Sequence, residues 1–111
     1  MRRFYRVEQR RRRRFGEWLR AYREKWGFTV TEVANEVGVS RQYVSAIENG
    51  QRCPTRHMAI VLGRVFWLDG DVVVAAAGFL PLDLSEFLQE RPEAIKEIRE
   101  VCSRIRHTKE Q

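Results

Sequence analysis

The sequence predicts an all-α fold, and three observations carry that expectation. Apolar residues recur at three- and four-residue spacing in one segment after another. Capping residues stand ahead of those segments, and glycines stand behind them. No stretch alternates apolar and polar residues as a half-buried strand would. The β-branched run Val72-Val73-Val74 sits between a cap and a glycine at helical length.

Phe15, Trp18, Leu19, Tyr22 and Trp26 fall on one face of a first helix, which Gly27 ends. With Phe28, the aromatic residues of that face read as core rather than as a platform for stacking single strands. Thr29 and Glu32 form a capping box for a second helix, Val30 to Val37, with Val33, Ala34 and Val37 inward. Gly38 suits the left-handed conformation that ends a helix, and Val39 plugs the turn. Ser40 caps a third helix from Arg41 to Asn49, whose inward residues are Val44 and Ile47; Gly50 stops it. Thr55 caps a fourth helix ending near Phe66, with Ala59, Leu62, Gly63 and Phe66 on its face. Asp69 caps a short fifth helix through Ala77, before Gly78. After the connector Phe79-Leu80-Pro81, Ser85 starts a sixth helix that yields at Pro92. Pro92 opens a seventh helix that continues to about Arg106.

The 111 residues carry a formal net charge of +6, unevenly spread. Residues 1–14 hold eight arginines against Glu8, whereas residues 67–111 hold nine acids against six bases. A basic arm on a small domain points to a polyanion, most often nucleic acid. Arginine outnumbers lysine 18 to 3, and its planar fork suits phosphate and guanine. No apolar run approaches the roughly 20 residues of a membrane span, and the N-terminus lacks the features of a secretory signal. The expected location is the cytoplasm, where Cys53 and Cys102 stay reduced.

Residues 29–50 are two short capped helices joined by a tight turn, the sequence form of a helix-turn-helix. The segment FTVTEVANEVGVSRQYVSAIENGQRCP resembles the Cro/repressor-type (Xre) helix-turn-helix family in Ala34, Gly38, Val39, Ser40, Val44, Ile47, Glu48, Gly50 and Pro54. Arg23 and AAAGFLP at 75–81 extend the likeness over residues 15–81. The resemblance implies a five-helix DNA-binding domain whose third helix enters the major groove. It assigns base reading to Arg41, Gln42, Tyr43, Ser45 and Ala46. Backbone contacts fall to Asn49, Gln51, Arg52 and Arg56. It makes Arg23 and Glu48 a structural ion pair. One departure is Val30, where the family usually has a glutamine that reaches phosphate.

Arg10, Arg11, Arg12, Arg13 and Arg14 are expected to touch the DNA backbone. They do so either as a flexible arm entering a minor groove or as a backward extension of the first helix. Phe4, Val7 and Phe15 fall only loosely on one face, so both forms stay open. Ile95, Ile98, Cys102 and Ile105 are spaced like a coiled-coil seam. That stripe either joins two copies or packs on its own domain through Phe79, Leu80, Leu82, Leu84, Phe87 and Leu88. Cys53, His57, Cys102 and His107 superficially match a zinc set, but the first pair lies in a DNA-facing loop and the second at the chain end. No metal, cofactor or catalytic arrangement is expected.

The expected organisation is therefore an Arg-rich arm (1–14), a helix-turn-helix domain (15–81) and a C-terminal helical extension (82–111) serving as a dimerisation element. The expected function is sequence-specific binding of double-stranded DNA as a transcriptional regulator, with the protein a homodimer. Two rivals are an antitoxin-like or adaptor protein that binds a protein partner through its C-terminal helices, and an RNA-binding protein led by the arm.

Overall fold

The computed structural model describes the backbone of residues 2–110 and the side chains of residues 6–108. Among the described residues seven α-helices run in order: α1 (Arg2–Trp26), α2 (Val30–Val37), α3 (Arg41–Glu48), α4 (Arg56–Arg64), α5 (Gly70–Ala76), α6 (Leu82–Glu90) and α7 (Ile95–Glu110). A 3-10 turn, Pro92–Ala94, precedes α7. No strand occurs among the described residues. The chain divides into two units, residues 1–79 and 80–111.

Local chemistry sets the helix starts in the first unit. Thr29 accepts from the Glu32 amide, and Glu32 reaches back to the Thr29 amide, closing the capping box. The Thr29 amide, which donates to the Glu32 carboxyl, and the Thr29 hydroxyl beside it hold that carboxyl below its ordinary pKa. Ser40, Thr55 and Asp69 accept from the amides of Tyr43, Met58 and Val72 respectively. α4 ends at Arg64, earlier than its apolar face suggests. Trp67 takes the left-handed conformation (φ 56°) there, and the Leu68 amide bonds to the Gly63 carbonyl.

The core joins all five helices of this unit. Phe15 and Leu19 of α1 meet Val33 and Ala34 of α2, Val44 and Ile47 of α3, Ala59 and Leu62 of α4, and Val73 of α5. Trp18, Tyr22 and Phe28 pack against this cluster. Trp26 does not: it is 49% exposed and meets Trp67 edge-on, with ring centroids 5.3 Å apart. It stands at the end of α1, beyond the last core layer.

Two features bring α1 onto α3. Gly16 is buried, and a Cβ there would strike the carbonyl oxygens of Ile47 and Glu48. Beside it, Glu48 is 5% exposed and accepts from two arginines of α1. Arg23 donates through Nε to Oε2 at 2.6 Å and through Nη2 to Oε1 at 3.0 Å. Arg20 donates through Nε to Oε1 at 3.2 Å. Arg23 also donates to the Phe28 carbonyl, at 2.9 Å. Its hydrogen bonds to Glu48 raise the guanidinium pKa further, against the opposing effect of burial.

The second unit departs from expectation at both helix starts. α6 begins at Leu82, directly after Pro81, rather than at Ser85, whose amide bonds to the Pro81 carbonyl inside the first turn. Pro92 opens the 3-10 turn instead of α7 itself, and α7 runs on to Glu110. Among its described residues none is buried. Leu80, Leu82, Leu84 and Phe87 are exposed, as are Ile95, Ile98, Val101 and Ile105.

The α1–α3 contact yields two expectations. In an open helix, Gly→Ala gains about 1 kcal/mol. Gly16→Ala should instead destabilise by roughly 1–3 kcal/mol, because the methyl meets backbone that cannot rotate away. Gly70→Ala, whose nearest neighbour would be Ile60 at 3.8 Å, should be neutral or stabilising. Thermal melts of the two variants check the sign. Arg23→Ala should cost roughly 3 kcal/mol by stranding a buried carboxylate, and lower Tm by roughly 10–20 °C. A melt within 3 °C of wild type would show that Arg20 alone satisfies Glu48.

Candidate nucleic-acid interface

The turn between α2 and α3 is built from one left-handed residue. Gly38 (φ 82°) and Val39 both donate their amides to the Ala34 carbonyl, at 2.9 and 3.0 Å. Val39 packs on the core, so the chain leaves α2 at a fixed angle before Ser40 starts α3. α3 closes the same way. Gly50 (φ 74°) donates to the Ile47 carbonyl, and the Gln51 amide to Ala46, a Schellman arrangement that leaves no frayed end.

Only part of α3 is free to meet a partner. Val44, Ile47 and Glu48 are buried, whereas Arg41 and Gln42 are exposed in its first turn. With Ser45, Ala46 and Gln51 they line one open groove. This places four of the five proposed base-reading residues together: a fork donor, an amide with donor and acceptor, a hydroxyl and a methyl. These are the groups that read guanine, adenine and the thymine methyl at base edges.

Tyr43 is placed differently. Its ring is half-buried against the core, and the Arg52 guanidinium stands 4.8 Å above its centroid. Burial pushes the phenol pKa up, so it remains a neutral hydroxyl. Tyr43 thus positions Arg52 at the exit of α3. Asn49 is exposed and also tied down: Oδ1 accepts from Arg20 Nη2 at 2.8 Å, and Nδ2 donates to Ser45 Oγ at 3.4 Å. Arg56 lies over the Phe79 ring, at 5.2 Å.

Arg20 and Gly16 are the residues that sequence reasoning missed. Arg20 precedes Arg23 by three positions on one helix face, a usable signal once Glu48 had been paired with Arg23. Gly16 carried a signal too, since a glycine inside a strong helical pattern calls for a packing reason.

The arm is helical. α1 is continuous from Arg2, so the arginine run extends the first helix backwards. Arg10, Arg13 and Arg14 are exposed, and Arg11 and Arg12 are half-buried. Arg11 pairs with Glu8 at 3.1 Å and lies 5.5 Å from the Phe79 ring centroid. Phe4 lies outside the described side chains, and Val7 is exposed. Cys53 is half-buried, with Sγ 3.8 Å from the Ala77 carbonyl, and burial raises its thiol pKa. His57 and Cys102 are exposed.

A helix-turn-helix domain family matches residues 14–76. A protein of Pyrococcus abyssi, assigned as an HTH-type transcriptional regulatory protein, is 34% identical over 91 residues, covering 81% of this chain and 28% of the relative. One from Pyrococcus furiosus, with the same assignment, is 43% identical over 51 residues, 46% of this chain and 16% of the relative. This chain therefore spans less than a third of either protein. Among solved structures, a chain of the SinR protein/SinI protein complex superposes with TM-score 0.50 at 20% identity, over 87% of this chain and 99% of that one. The likeness is one of fold. The matched segment opens one residue before Phe15 and closes at the last residue of α5, so it encloses every buried core residue except Ala77. The chain belongs to the helix-turn-helix domain family.

Proposed function

We propose that the chain is a sequence-specific regulator of transcription that binds double-stranded DNA with α3 in the major groove. The observation that carries this reading is the groove of Arg41, Gln42, Ser45, Ala46 and Gln51 on the free side of a helix whose other side is buried and clamped. Arg41 would give a two-point contact to guanine O6 and N7, and Gln42 one to adenine N6 and N7. Ser45 and Ala46 would follow one turn later, the hydroxyl against a base or phosphate acceptor and the methyl against a thymine methyl. Gln51, Arg52, Arg56 and Asn49 would hold phosphates and set the register. Arg52 is well suited, since stacking on Tyr43 limits its conformations before DNA arrives. Relatives assigned as transcriptional regulators support the regulatory role. The reading assigns no catalysis and places the protein in the cytoplasm.

It also includes a homodimer through the second unit. Ile95, Ile98, Cys102 and Ile105 form an exposed stripe on α7, and this unit buries nothing of its own among its described residues. A helix of 16 residues with such a face is marginal alone and gains from a partner. Two copies would present two recognition helices to a two-fold operator.

Two experiments test the parts separately. Arg41→Ala and Gln42→Ala should each cost about 1–3 kcal/mol on a selected operator and relax preference at one or two base pairs. Unchanged affinity and selectivity in both would remove α3 from the base-reading role. Ile98→Glu should leave the melt of residues 1–79 intact, sediment as a monomer and lose most operator affinity, because the second half-site no longer gains from tethering. A wild-type protein that sediments as a monomer, free and on DNA, rules out the homodimer. One that does so but co-sediments with a different protein supports the adaptor reading.

A further inference from the structure

The matched family region begins at residue 14, yet α1 starts at Arg2. The extension adds about three turns to a helix that totals 25 residues, about 37 Å at 1.5 Å per residue. At about 100° per residue, Arg6, Arg10, Arg13 and Arg14 fall within an arc of about 100°. All four are exposed, and the arc points away from Phe15 and Leu19. Glu17 bounds the stripe one turn further on, and Glu8 lies off it, engaged by Arg11.

The extension is held on both flanks. On one side, Arg11 Nη1 donates to the Gly78 carbonyl at 3.5 Å, and Gly78 leaves no room for a Cβ against the Arg11 side chain. On the other, a Cβ on Gly50 would stand 3.2 Å from Arg13 Cα, so the helix lies directly beside the exit of α3. The first flank encloses a notch lined by Val7, Arg10, Arg11, Arg14, Ala75, Ala76 and Gly78. Every charged side chain in that notch is an arginine.

We propose that residues 6–14 act as a rigid basic rail on the phosphate backbone of duplex DNA, beside the groove that α3 occupies, with a phosphate in the Arg10–Arg11–Arg14 notch. The proposal rests on the DNA-binding reading above. Size decides between the two forms of arm contact. An α-helix is about 10–12 Å across with its side chains, and the minor groove is about 6 Å wide. The helix therefore cannot enter that groove as an extended arm does. The phosphates at the groove edge are what a helix lying beside α3 can reach, and guanidinium forks match them two points at a time. Arg6 to Arg14 spans about 12 Å, enough to reach more than one phosphate of a strand whose phosphates rise about 3.4 Å each along the duplex axis.

The test measures affinity of the full chain for a selected operator between 50 and 200 mM salt. The double variant Arg10→Gln/Arg14→Gln should flatten the slope of log K against log salt by about 1.8, so that it loses about twelvefold less affinity over that range. The ranking of operator base variants should stay the same. A second variant inserts Gly-Gly between Arg14 and Phe15, which keeps every charge and frees the extension. It should fall toward the slope and affinity of the double variant, with melts confirming that residues 15–79 remain folded. An unchanged slope in the double variant overturns the rail, as does full retention of slope and affinity by the insertion, which marks a flexible tail. A ranking that changes at flanking A·T positions overturns it in favour of minor-groove reading. These failures leave the dependence on Arg41 and Gln42 intact. Loss of that dependence, or tighter binding to hairpin RNA than to any duplex, is failure of the DNA reading itself.

Discussion

The placement of α3 depends on one buried carboxylate. Glu48 is the described acid that the fold takes almost wholly out of water, and it sits on the helix proposed to face DNA. Isolated, it would be costly to bury and would repel a phosphate backbone. Arg23 and Arg20 give it three hydrogen bonds from α1, so the charge is neutralised where it stands. Gly16 makes this geometry reachable by letting the backbones close to contact distance. The acid thus serves as a tie bar between the longest helix of the unit and α3, and it is neutralised within the fold itself.

The rest of the interface is organised around that tie. α3 has only eight residues, too few to be stable alone. It is fixed at its start by Ser40, along its length by Val44 and Ile47, and at its end by Glu48 and the Gly50 turn. Side chains next to fixed points become fixed in turn. Asn49 is held by Arg20, and Arg52 by Tyr43. Arg41 and Gln42 have no such restraint from the tie and stand at the opposite end of the helix. The division suits the proposed roles, since groups that would adapt to base edges keep their rotamer freedom while those that would set register give theirs up.

Much of this was legible because it is local. Thr29, Ser40, Thr55 and Asp69 act on amides within three residues, and Gly38 and Gly50 act on their own backbone; such chemistry is written in short stretches of sequence. What was not legible depends on distant neighbours. Gly16 looks like a weak point of α1 until α3 is laid against it. The arginine run carries no apolar period that would declare a helix, and the extension is held by Gly78 and Gly50, which lie far along the chain. Trp67 broke a rule outright. A left-handed helix end normally calls for glycine, and an aromatic residue there costs about 1–2 kcal/mol, so the apolar face runs on past the true end of α4. In the second unit, Ser85 was the better cap by composition. Pro81 prevailed because its fixed φ and free carbonyl let the first turn form directly after it.

If the extension holds phosphates and α3 reads bases, as proposed, affinity and selectivity fall on different helices that are mechanically one. Phosphate contacts are sequence-independent and weaken with salt, whereas base contacts carry discrimination and need α3 at a fixed depth and tilt. In a protein whose basic arm is disordered, the charges raise local concentration but do not orient the reader. Here the exposed arginines of the extension belong to the same continuous helix as Arg20 and Arg23. A phosphate engaging the proposed rail would therefore bear on α3 through α1 and the Glu48 tie. The direction works in reverse as well, because a mismatched base that lifts α3 also lifts the arginines from the backbone. Coupling of this kind raises the penalty for a wrong site above the loss of its base contacts alone, and it requires α1 to be stiff, which its long uninterrupted run of backbone hydrogen bonds provides.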